Sequence, residues 1–137
     1  MTIVGVNFKK INVEKNDSMK GKISIKNNIL IKDVVKHSLE FGDKKRDAIK
    51  FIFDFVTTYD IDKKNLAKIN LEGDVMSIEK ADVTKYVLDK WKKDKKLDDS
   101  LMALILNTAL VKCNIQALIL SKEMNLPSPI PLPKITA

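Results

Sequence analysis

Residues 99–125 carry two apolar stripes at helical spacing, which leave little of a helix's circumference polar. The first stripe runs Leu101, Leu104, Ile105, Thr108, Val111, Ile115, Leu118 and Ile119, in steps of three and four. The second runs Leu106, Leu110, Cys113, Ala117, Leu120 and Met124. A helix of roughly 25 residues reaches about 38 Å. A helix apolar on most sides has to be covered on more than one side. One sheet covers one face. The other face needs a second layer, another subunit or a bound chain, and this surplus constrains every other reading.

Ahead of that stretch lie four segments with strand periodicity. Residues 3–13 alternate through Val4, Val6 and Phe8 and then, in the opposite phase, through Ile11 and Val13. A phase slip in a period-two pattern implies one extra residue, so a bulge is expected near Lys9-Lys10. Residues 22–35 place Ile23, Ile25, Ile29, Ile31 and Val35 on one face, with lysines between them; Leu30 and Val34 fall on the wet face. Residues 48–59 are rich in aromatic and β-branched side chains, with Ile49, Phe51, Phe53 and Phe55 facing one way and Ile52 and Val56 the other. Residues 66–78 change phase between Ile69, Leu71, Val75 and Met76, Ile78, with Gly73 at the change as an expected bulge. Residues 39–47 read as a loop with a turn at Gly42-Asp43. Connections this short favour antiparallel pairing in a meander.

Asp82 is expected to cap a short helix over residues 83–96, with Val83, Tyr86, Val87 and Trp91 as its apolar stripe. Asp98 or Asp99 caps the long one. The run Leu126-Pro127-Ser128-Pro129-Ile130-Pro131-Leu132-Pro133 cannot be helical, because proline lacks the N–H and restricts the residue before it. Strands followed by helices give an α+β fold: a four-stranded antiparallel sheet with a short and a long helix on one face. The expected organisation is a single domain, with the sheet in residues 1–79, helices in 82–125 and an extended tail in 126–137.

No catalytic pattern emerges. His37 is the lone histidine and Cys113 the lone cysteine, so neither a metal cluster nor an internal disulfide is expected. The four glycines are isolated and form no phosphate-cradling loop. The chain reads as a binding protein, not an enzyme, and needs no cofactor. A formal charge of +7 favours acidic partners. The densest basic run is Lys90, Lys92, Lys93, Lys95 and Lys96 around Trp91, which offers an alternative reading as a ribosome- or RNA-associated protein. No signal peptide or membrane span is expected, since Asn107, Lys112, Asn114 and Gln116 interrupt the long apolar stretch. A cytoplasmic setting follows.

The pattern as a whole resembles a divergent member of the SecB-like export chaperones. The resemblance lies in Asn7-Phe8-Lys9-Lys10-Ile11-Asn12-Val13-Glu14 as a first strand and in the second and third strands at residues 22–31 and 48–58. It also lies in Leu71-Glu72-Gly73-Asp74-Val75-Met76-Ser77-Ile78 as a fourth strand, and in the long helix that breaks at Asn125-Leu126-Pro127. The apolar surplus of the long helix predicts a dimer or tetramer, and the resemblance implies a tetramer built as a dimer of dimers with long helices between subunits. It also implies ATP-independent binding of unfolded polypeptides along apolar grooves. On this reading Ile52, Val56, Met76, Ile78, Leu126, Ile130 and Leu132 are candidates for the client groove. Leu106, Leu110, Cys113, Ala117 and Leu120 are candidates for the subunit interface.

Overall fold

The computed structural model describes residues 2–17 and 20–136. Its elements are β1 (Thr2–Lys15), β2 (Ile23–Phe41), β3 (Lys44–Ile61), β4 (Lys64–Ile78), α1 (Ala81–Asp94) and α2 (Asp99–Glu123). On β3 the alternation is nearly complete. Phe51, Phe53, Phe55, Thr57, Tyr59 and Ile61 are buried, and the residues between them are half-exposed. Both helices pack on this buried side, against Ile69, Leu71 and Val75 of β4 as well. The result is the expected α+β architecture.

All strand pairs are antiparallel, in the order β1-β4-β3-β2. Strands β2, β3 and β4 form a meander, and β1 returns to the far edge beside β4. The two hairpins are tighter than expected. Residues 39–47 are mostly strand, turning only at Gly42-Asp43, where Gly42 adopts φ 62°. Opposite charges hold this ladder beyond the core: Glu40 pairs with Lys45 at 3.9 Å and Lys36 with Asp47 at 3.5 Å. The second hairpin turns through Asp62 and Lys63, with φ 48° and 65°, the left-handed pair a two-residue turn between twisted strands requires.

Bulges set the faces. The expected bulge occurs at Lys9, between Phe8 and Lys10, and another occurs at Val4. A third, at Lys32, shifts the phase of β2. It turns Val34 into the core and leaves Val35 on the open face, the reverse of what strict alternation suggested. Gly73 is not itself the extra residue: β4 keeps register with β3 through it, and the shift against β1 falls on Lys9 opposite. Met76 and Ile78 differ in phase from Val75 simply because they face the open side. Gly73 serves close approach instead: a Cβ there would lie 2.1 Å from the Asn7 carbonyl oxygen of β1.

Helix α1 starts at Ala81 after Lys80, so Asp82 stands in the first turn, where its charge suits the dipole, and does not cap. It stops at Lys95 (φ 55°), whose N–H donates to the Trp91 carbonyl at 2.8 Å. Helix α2 buries Ile105, Ala109, Cys113, Ala117 and Ser121, an unbroken i, i+4 row. Four of these five are small, so the helix axis can come close to the sheet. By length and composition α2 could cross a membrane, with a mean hydropathy of 1.6, but here it lies along the sheet. Lys112 fastens it to the β1 edge, donating to the Val6 carbonyl at 2.6 Å over the Phe8 ring.

Replacing Gly73 with alanine is expected to force β1 away from β4 and to destabilise the protein by about 2–3 kcal/mol. Urea unfolding of the Gly73→Ala variant measures it, and an unchanged midpoint contradicts the account.

Candidate functional site

Asn27 of β2 and Thr57 of β3 place polar side chains side by side in the inward rows. On β2 the row reads Ile23, Ile25, Asn27, Ile29, Ile31, and Asn27 stands opposite Thr57 of β3. Thr57 is fully buried, where a hydroxyl is costly unless hydrogen-bonded, while Asn27 stays exposed on the edge strand. These groups are used. The Thr57 hydroxyl donates to Asn27 Oδ1 at 2.6 Å, which turns the amide so that Nδ2 donates to the Pro129 carbonyl at 2.7 Å. Two residues along β3, the Tyr59 hydroxyl donates to the Pro127 carbonyl at 2.8 Å. Burial pushes the Tyr59 hydroxyl up to about 12, against a weaker opposing pull from the Ser121 hydroxyl. It therefore stays protonated, and remains a donor, at any physiological pH.

The partner of these donors is the proline-rich segment. Helix α2 closes with Asn125 at φ 54° and with the Leu126 N–H donating to the Ser121 carbonyl at 2.8 Å. The chain then runs extended along β2 and β3. Leu126 and Pro129 are buried, while Pro127 and Pro131 are exposed. The carbonyls of Pro127 and Pro129, two residues apart, both turn toward the sheet, and the backbone bends at Pro129-Ile130. A cleft of about 420 Å³ stays open between this strap, β2 and α2, lined by residues including Asn27, Ile29, Phe55, Leu110 and Ile130. Asn27, Thr57 and Tyr59 were not singled out in the sequence. The available signal was Asn27, the one polar residue in a row of isoleucines.

The sequence-derived groove residues separate onto two sides. Ile52, Val56, Met76 and Ile78 lie half-buried on the open face of the sheet. Leu126 and Ile130 belong to the strap on the helix side, and Leu132 continues it, largely exposed. Period-two alternation makes this division unavoidable, and no single groove holds all seven.

The interface candidates also divide. Cys113 and Ala117 are fully enclosed by their own subunit and have no surface left for another. Burial pushes the Cys113 thiol up to about 12. Leu106, Leu110 and Leu120 flank this row, half-buried against the core. The outward stripe is the other one: Leu104, Val111, Ile115 and Ile119, which are 42%, 65%, 58% and 49% exposed. The surplus apolar surface inferred from the sequence is therefore real and sits on these residues.

In the basic run, Lys92, Lys93, Lys95 and Lys96 are exposed. Lys90 is paired with Asp98, whose hydrogen bond raises the lysine's pKa and lowers that of the carboxyl. Trp91 is turned inward, its Nε1–H donating to Asp33 at 3.1 Å, so it offers no stacking platform. Among the described residues, no cluster of His, Cys, Asp and Glu could hold a metal ion.

No family model matches the sequence, and no curated protein matches it. The fold does match a solved structure, the SecB-like chaperone Rv1957 of Mycobacterium tuberculosis in complex with a ChAD peptide from the Rv1956 HigA1 antitoxin. The TM-score is 0.57 at 10% identity, over 99% of this chain and 91% of that one. The fold of this chain is therefore SecB-like.

Both buried acids on the helix side hold their protons more tightly when folded. The thiol of Cys113 rises from 9.0 and the hydroxyl of Tyr59 from 10.0, each to about 12. Their contribution to stability is complete below pH 9 and is lost as pH climbs from there to 12, where the unfolded chain has released protons that the native one retains. Urea midpoints measured from pH 8 to 11 should fall, and Cys113→Ala should flatten the first part of the fall.

Proposed function

We propose that this protein is a chaperone-like binding module that holds extended polypeptide segments without ATP. The observation that carries this reading is the groove on the helix side of the sheet, whose side-chain donors engage main-chain carbonyls of an extended segment. Every polypeptide presents such carbonyls, so a groove of this kind takes segments of many sequences. The peptide bound by the SecB-like chaperone of the same fold supports the reading. Clients awaiting export in the cytoplasm are the class the family resemblance suggests. Ile52, Val56, Met76 and Ile78 on the open face provide a second, separate apolar surface for the same clients.

We also propose self-assembly through the outward stripe of α2. Large aliphatic side chains in a continuous row are a subunit contact in proteins that stay soluble. A nucleic-acid role has less support, because with Trp91 buried the remaining lysines of α1 are solvated charge.

The holding reading predicts that a several-fold excess of this protein suppresses aggregation of a denatured test protein, with little change as salt rises. Lack of suppression sinks it; RNA binding that weakens steeply with salt favours the basic-patch alternative. The assembly reading predicts that Val111→Lys and Ile115→Lys reduce the light-scattering mass to one chain without altering the circular dichroism. If the unaltered protein already has the mass of one chain at micromolar concentration, this reading is overturned.

A further inference from the structure

We infer that the groove formed by Asn27, Thr57 and Tyr59 is a site for extended, proline-containing segments read through their carbonyls, and that residues 126–131 are its resident, exchangeable occupant. This inference rests on the proposed holding function and specifies its client class. The groove gives the strap two hydrogen bonds, both to carbonyl oxygens two residues apart, Pro127 and Pro129. Among the described residues, no groove acceptor takes an N–H from the strap. The Ile130 N–H is met within the strap by the Ser128 hydroxyl at 3.3 Å. A client added as a β-strand would need its own N–H groups in the ladder, and proline would interrupt it. A site that reads only carbonyls tolerates proline, which lacks the N–H and keeps its carbonyl.

The strap's seat is partial. Past Leu126, only Pro129 is buried, Ile130 is half-buried and Leu132 is largely exposed. Open clefts of about 420 and 530 Å³ remain beside it, against Phe55 and Leu110 on one side and Ile25 on the other. A segment with larger apolar side chains beside these clefts fits the same track and gains contacts the strap leaves unmade. Because the strap is tethered, it competes at an effective concentration on the order of millimolar. Its presence thus sets a threshold that weak or short segments do not pass.

The test uses the full chain and a fluorescent peptide copying residues 125–135, followed by anisotropy. Pro129→Asp weakens the strap and leaves Asn27, Thr57 and Tyr59 in place. It should bind the peptide about tenfold more tightly than the unaltered chain, because more of the groove is free. Adding Asn27→Ala to that variant should weaken binding about fivefold through the lost hydrogen bond. A peptide with every proline changed to alanine should bind less well than the original. If Pro129→Asp does not keep its far-UV spectrum, Pro129→Gly replaces it. The inference is overturned if the loosened and folded variant does not take up the peptide, if Asn27→Ala leaves the affinity unchanged, or if the alanine peptide binds equally well. Aggregation suppression by the unaltered chain separates the two levels: suppression without peptide uptake removes the proline-segment site and leaves the holding function, and loss of both removes both.

Discussion

The burial of every second residue on β3 is the constraint from which the rest of the molecule follows. Phe51, Phe53, Phe55, Thr57, Tyr59 and Ile61 define one dry face, and both helices and the strap assemble on it. A one-residue slip would carry that whole set to the wet side. The bulge at Lys32 matters for the same reason. By absorbing one residue of β2, it lets Ile31 and Val34 both face inward although they are three apart. Gly73 plays the matching part on the other side, where β1 crowds against β4.

Most of this frame was legible in the sequence. Four strands, two helices, the Lys9 bulge and the surplus on α2 all follow from periodicity. The strand order did not follow, because alternation fixes faces and not neighbours. The tight hairpins were also missed, since charged residues at 39–47 look like loop until cross-strand pairs such as Lys36 with Asp47 are seen. On α2 the sequence offered two stripes, and hydrophobicity alone cannot rank them. Size decides. Ala109, Cys113, Ala117 and Ser121 allow close approach and go inward, so the larger Leu104, Val111, Ile115 and Ile119 are left outside. The groove was hidden for a related reason: its donors occupy only two polar positions and one tyrosine within otherwise apolar rows.

That economy bears on how a binding surface can be built inside a core face. Asn27 and Thr57 are satisfied only jointly, one orienting the other toward the strap. A hydrocarbon pair of the same shape would pack at least as well and would have nothing to offer a main chain. What the polar pair adds over such a hydrocarbon pair is the directional hold on the strap's Pro129 carbonyl.

The two outer strands have a bearing on solubility. Each carries at least one bulge, at Val4 and Lys9 in β1 and at Lys32 in β2. Each also displays exposed lysines: Lys9, Lys10 and Lys15 on one, Lys26, Lys32 and Lys36 on the other. Kinks and like charges along both margins oppose endless side-by-side stacking of sheets. Both margins are thus guarded against letting one copy of the chain seed a fibril of others.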